Sequence, residues 1–137
     1  MSTIITKQEI LNYKENNPKV GYYELSKHFN LSIEELFELL DITNYKIIKD
    51  NYIQICDSNG DETYFEFSDG VWEKYEYDKN GNVTDEENSC GFKCESVFNE
   101  DSKLIKQTFN DGTINVYKYN DLGVLIEEIS IKKTYLN

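Results

Sequence analysis

The stretch Gly70-Val-Trp-Glu-Lys-Tyr75-Glu-Tyr77-Asp78-Lys-Asn-Gly81-Asn-Val83 decides how this chain is read. Its first eight residues alternate, which places Tyr75 and Tyr77 on one face of an extended strand. Asp78-Lys-Asn-Gly81 has the composition of a tight turn, with glycine where φ becomes positive. The chain then returns through Val83, so the stretch reads as a hairpin, and the hairpin recurs. Gly70, Gly91 and Gly112 are spaced by 21 residues. On that period Tyr77, Phe98 and Tyr119 share a column, with Cys56 one step earlier. The next column is Asp57, Asp78, Asn99 and Asn120, and the turn column is Gly60, Gly81, Ser102 and Gly123. Val83, Leu104 and Leu125 align two residues on, with Glu62 as the first-copy exception. Self-similarity at a fixed period marks stacked supersecondary units. Four units predict eight short antiparallel strands from about Ile47 to Lys132.

The unit resembles the YD (Rhs-type) repeat, approximately Gly-x4-Tyr-x-Tyr-Asp-x2-Gly-x-Leu. The nearest copies are Gly70 to Val83 and Gly112 to Leu125, the latter ending Tyr117-Lys-Tyr119-Asn120-Asp-Leu-Gly123-Val-Leu125. The third copy departs at Ser96 and Ser102; the first has Lys49 for the opening glycine and Gln54 and Cys56 for the two tyrosines. The resemblance covers about 49–132 and implies a twisted meander; long arrays of that family form shells or filaments, which four units cannot. Lys132 and Lys133, near the last strand, read as protection of an open edge.

Upstream the period changes from two to 3.6. Thr6-Lys7-Gln8-Glu9 is a capping box, and Pro18 stops its helix at about Asn17. A second helix is expected over Tyr22–Phe29. Ser32-Ile33-Glu34-Glu35 opens a third, in which Ile33, Leu36, Phe37 and Leu40 keep one face apolar. Over Gly21 to Asp41 the spacing resembles the helix-turn-helix family, with Leu25-Ser26 in the first motif helix, Phe29-Asn30-Leu31 at its turn, and Leu36 and Leu39 in the second. The resemblance implies that Ser32, Ile33, Glu34, Phe37, Glu38 and Asp41 face outward where such proteins meet a major groove. That set carries no cation. The expected fold is therefore α+β: a three-helix, helix-turn-helix-like head at 1–42, then an antiparallel β-meander of about eight strands in four hairpin repeats at 43–137.

Charge narrows the function. All 14 basic residues are lysine against 26 acids, a net charge of −12. Eleven of the acids and two lysines fall in 57–87, so −9 of the −12 belongs to that stretch. A chain without arginine is poorly equipped to fork onto phosphates or guanine edges. Direct DNA binding is not expected. An acidic surface attracts basic partners instead. No apolar run is long enough to span a membrane and the first residues do not read as a signal peptide, so a cytoplasmic protein is expected. Three cysteines, an odd number, point to free thiols, with Cys56 in the core.

The residues that resemble chemical motifs are better read as scaffold. Asp57-Ser-Asn59-Gly-Asp61-Glu62 has calcium-loop spacing, but the column of Asp61 later holds Lys103 and Val124, so a hairpin turn is expected. Cys90 and Cys94 lack zinc-site spacing, and the single histidine, His28, lies in the head. No catalytic residue, cofactor or metal is expected, and the chain is read as a non-enzyme. Composition and organisation resemble phage-encoded counter-defence proteins of the anti-CRISPR kind. The expectation is an inhibitor that mimics DNA, laying an acidic sheet face on a basic protein target such as a nucleic-acid-handling defence nuclease. Its partner-binding residues would be Asp61, Glu62, Glu66, Asp69, Trp72, Glu73, Glu76, Asp85, Glu86 and Glu87, with Phe37, Glu38 and Asp41 of the head. Trp72 has a rival reading, packing against the head. The alternatives are a helix-turn-helix transcriptional regulator with a β dimerisation or sensor domain, and an immunity or antitoxin-like protein. A homodimer is one way to cover an open edge.

Overall fold

Capping groups set where the three helices begin. The structure, a computed structural model, describes residues 4–48 and 51–132. Helix α1 (Lys7–Asn16) starts at Thr6, whose hydroxyl oxygen accepts the Glu9 N–H at 3.2 Å. Helix α2 (Tyr22–Phe29) ends at Asn30 in the left-handed region (φ 55, ψ 45), and the Ser26 hydroxyl donates to the Leu31 carbonyl. Helix α3 (Ile33–Leu39) has the complete box: Ser32 Oγ accepts from the Glu35 N–H, and the Glu35 carboxylate accepts from the Ser32 N–H, each at 3.0 Å.

Among the described residues nine strands follow rather than eight. The extra one, β1 (Tyr45–Ile48), precedes the first repeat and pairs antiparallel with β2 (Tyr52–Cys56). The remaining strands are β3 (Glu62–Phe67), β4 (Trp72–Tyr77), β5 (Val83–Asn88), β6 (Lys93–Phe98), β7 (Leu104–Phe109), β8 (Thr113–Tyr119) and β9 (Leu125–Lys132). Their spatial order is their chain order, an open antiparallel meander. Lys49 and Lys133 lie outside the described residues.

The 21-residue period is a property of the turns. Asp57, Asp78, Asn99 and Asn120 each use one side-chain oxygen to accept the N–H groups two and four residues on, at 2.9–3.0 Å. The backbone N–H of each also donates to the carbonyl four residues on, at 2.8–2.9 Å. The fourth residue must then turn through positive φ, which costs glycine nothing. Gly81 does so at φ 83, and Ser102 adopts φ 60 at the same position. A register shift at Ile55/Cys56, Val97/Phe98 and Lys118/Tyr119 puts a bulge in the aromatic column. Cys56, expected in the core, is half-buried there; the buried cysteine is Cys94, and all three are free thiols.

The chain forms two compact units, Met1–Glu73 and Lys74–Asn137. In the first, Ile10, Leu25, Leu36 and Phe37 from the helices and Val20 from the α1–α2 connection close on Ile53 of β2, all five per cent exposed or less. Tyr45, Ile47 and Ile55 pack against that cluster. They belong on Ile53's face because Tyr45 pairs with Ile55 and Ile47 with Ile53. The second unit has no such interior. Among its described residues Cys94 is the only buried hydrophobic side chain, so the unit is a single-layer sheet. No described helix is long and apolar enough to cross a membrane.

Candidate functional site

Burial divides the thirteen expected partner-binding residues. Three are interior. Phe37 is fully buried, its ring edge-on to Tyr22 at 5.0 Å and to Tyr45 at 4.7 Å. Helical spacing puts Phe37 on the core face of α3, next to Leu36, and not on an outward face. Trp72 is 4% exposed; its indole N–H donates to the Lys19 carbonyl at 3.0 Å and its ring stacks on Tyr64. Packing against the helical segment is therefore the role the structure assigns it.

Glu66 is the third, and its role was not anticipated. Register pairs it with Ile53, so it points from β3 into the core of the first unit. There one carboxylate oxygen accepts the Tyr22 N–H at 2.7 Å and the Tyr64 hydroxyl, and the other accepts the Tyr23 N–H at 2.9 Å. These are amides of the first turn of α2, which has no capping side chain of its own. Glu66 supplies the cap from the sheet, where a negative charge also meets the positive end of the helix dipole. Gly21 precedes that turn because a Cβ there would sit 2.6 Å from the Glu66 carboxyl carbon. Burial pushes the Glu66 carboxyl above its ordinary value, while Tyr64, the two amides and Lys14 pull it down. Tyr64 and Tyr22 are both raised, by burial first and then by the Glu66 charge.

Four more are occupied locally. Asp61 closes the first turn through its backbone, and Glu62 accepts from Gln54 Nε2 at 2.9 Å. Asp69 accepts the Val71 N–H at 3.1 Å. Asp41 is exposed and pairs with Lys7 at 2.9 Å. Glu38 is exposed on α3 beside the exposed Glu34 and Glu35, so that helix shows water an acidic face.

The remaining acids lie on strands. Glu73 and Glu76 are exposed on β4. On β5, Asp85, Glu86 and Glu87 are half-buried. Register with β6 places Asp85 directly opposite Glu95, Glu86 opposite Cys94, and Glu87 opposite Lys93. Alternation puts Asp85, Glu87, Lys93 and Glu95 on one face and Glu86 with Cys94 on the other. Like charges directly opposite each other disfavour strand pairing. Sequence reading missed Glu95 because it falls outside the 57–87 run, although the 21-residue period aligns it with Ile53 and Lys74 of the earlier repeats. The Cys94 thiol is pushed up by burial and by the carboxylates of Glu86, Asp85 and Glu95, which keeps it protonated and a poor nucleophile. An open cleft of about 350 Å³ lies between two successive turns, lined by Asp78, Lys79, Asn80, Phe98, Asn99 and Glu100.

Fold and surface together define an α+β protein in which three helices precede an antiparallel meander and carboxylates collect on one face of β5 and β6. No protein-family model matches this chain, and no curated protein matches it in sequence.

Proposed function

We propose that the protein is a non-catalytic, protein-binding inhibitor whose β5–β6 face occupies a basic, nucleic-acid-binding surface of its target. The observation that carries this reading is the apposition of Asp85 and Glu95, with Glu87 two residues along on the same face. Two carboxylates across a strand pair cost the fold stability, and a cationic partner relieves that cost. Residues two apart on a strand lie about 6.7 Å apart and neighbouring strands about 4.8 Å apart, so the three carboxylates form a fixed array on rigid backbone that stays acidic although Lys93 faces Glu87. Such an array presents oxygens to lysine and arginine as a phosphate backbone does. A phage-type counter-defence role, against a nuclease that handles nucleic acid, is the biological form this takes.

The test is capture from a bacterial lysate with wild-type chain and with the triple variant Asp85→Asn, Glu87→Gln, Glu95→Gln. Wild type is expected to retain a basic, nucleic-acid-handling protein that salt and added DNA release, and the triple variant is expected to lose it. An acidic partner, binding indifferent to salt, or equal capture by the variant sinks the proposal. The rival reading as a DNA-binding regulator needs cations on α3, where the exposed positions include Glu34, Glu35 and Glu38. A mobility shift at about 50 mM salt, where phosphate contacts are strongest, is expected to be negative.

A further inference from the structure

The meander ends on β9, which pairs with β8 from Thr113–Lys132 to Tyr119–Leu125. Among the described residues no strand lies on its other side. At eight residues β9 is the longest strand, and it contains no proline. A long open edge of this kind is a template for another strand.

Its last five residues, Glu128-Ile129-Ser130-Ile131-Lys132, are self-complementary when read antiparallel about Ser130. Glu128 then faces Lys132 and Ile129 faces Ile131, each pair occurring twice, and Ser130 faces Ser130 on the axis. Because side chains alternate between faces, a two-fold axis normal to the sheet must pass through a residue position, so few registers compete. Centring on Glu128 opposes two carboxylates. Centring on Ile129 sets Glu128 against Ser130 and Ile126 against Lys132, with no charge paired. Glu128, Ser130, Ile131 and Lys132 are exposed, Ile131 to 54%, and Ile129 is half-buried. Glu127 is engaged with Lys118 at 3.6 Å, and Lys132 lies near Asp111 at the end of the strand.

We propose that β9 pairs antiparallel with β9 of a second copy of this chain, about a two-fold axis through Ser130. Edge N–H and C=O groups supply the contact, as in other strand additions, and the Glu128–Lys132 and Ile129–Ile131 pairs fix the register. Ile129 and Ile131 share a face with Val116 and Ile114 across β8, so the pairing runs two apolar stripes together. Charge favours this end of the chain. A monomer at −12 repels its copy, yet residues 88–137 hold 7 acids and 6 lysines, whereas 57–87 holds −9. The surface is separate from the acidic β5–β6 face, and either can be lost without the other.

Sedimentation equilibrium of the full chain tests it, from about 1 μM to about 1 mM. About 0.15 M salt limits long-range repulsion to a Debye length near 8 Å. The mass is expected to rise from one chain towards two. Glu128→Lys alone and Lys132→Glu alone each set like charges opposite one another at both ends, and each is expected to weaken association at least tenfold. An equimolar mixture of the two variants restores opposite charges at both ends and is expected to associate like wild type. Circular dichroism verifies that each variant is folded. Hydrogen exchange on wild type provides a second readout, with protection of the outer β9 amides rising with concentration. A wild type that stays monomeric to about 1 mM, a single variant that dimerises undiminished, a mixture no better than its components, or species beyond the dimer overturns the proposal.

Discussion

Glu66 illustrates how one residue can be misjudged from composition. It lies in the most acidic stretch of the chain and looks like surface charge, yet it is fully buried and takes three donors on its two oxygens. An ionised carboxylate in such a place is tolerated only because every lone-pair direction in use meets a donor. Burial nonetheless outweighs those hydrogen bonds and holds the carboxyl above its ordinary value of 4.5. With the folded value above the unfolded one, stability from this group is complete below about pH 4.5 and is lost as pH rises through the folded value. The lowered carboxyls, Glu35, Asp78 and Asp111, act oppositely and lose their contribution only in more acid solution. As pH rises above about 4.5 the thermal midpoint is therefore expected to fall with a component that Glu66→Gln removes. Where the wild-type carboxyl is ionised, Glu66→Gln should also cost about 1–3 kcal/mol, because its amide meets the Tyr23 N–H donor to donor. Parallel pH slopes for the two proteins would show that Glu66 is not the titrating group.

At the scale of elements, the turns explain why the period could be read in advance. An aspartate or asparagine accepting two backbone amides, and a residue three further on at positive φ, are local requirements that recur wherever the turn recurs. Asp78→Ala removes the acceptor of the Asn80 and Asn82 amides. Those two amides are expected to exchange faster in the variant while amides in the Asn120 turn keep their rates. Unchanged exchange would mean that the backbone bonds of the turn suffice without the side chain. Strand β1 escaped the same reading because it precedes the first repeat and lacks its turn, although steps of 21 residues carry Tyr45 to Glu66, Glu87, Thr108 and Ile129 of the later strands. The first copy was equally obscure, since Gln54 and Cys56 stand where the second and fourth repeats carry two tyrosines, but its turn from Asp57 to Gly60 keeps every hydrogen bond.

For the whole molecule, the helices and the first hairpins depend on each other. Ile53, Tyr64, Glu66 and Trp72 are buried only because residues 1–42 cover them or hydrogen-bond to them. Exposing a large apolar side chain such as Ile53 costs about 1.5–3 kcal/mol. A fragment of residues 43–137 is therefore expected to aggregate when purified, as light scattering would report. A fragment that is soluble, monomeric and rich in strand signal would show that the helices are dispensable to the sheet.

Helix ends, hairpin turns, the alternation of most strands and the antiparallel meander followed from the sequence itself, because capping, positive φ and side-chain period act over a few residues. Which acids remain at the surface did not follow. In Glu62-Thr-Tyr64-Phe65-Glu66-Phe67 alternation sets Thr63, Phe65 and Phe67 on one face and Glu62, Tyr64 and Glu66 on the other, so alternation alone would turn the phenylalanine face inward, whereas Tyr64 and Glu66 are the buried pair. Tertiary packing decided it: α2 needed an acceptor at its N-terminus and Glu66 met it, Trp72 found the Lys19 carbonyl, and Phe37 closed the core over Ile53. Strand register, a long-range property, set Asp85 against Glu95 and left β9 at the open edge.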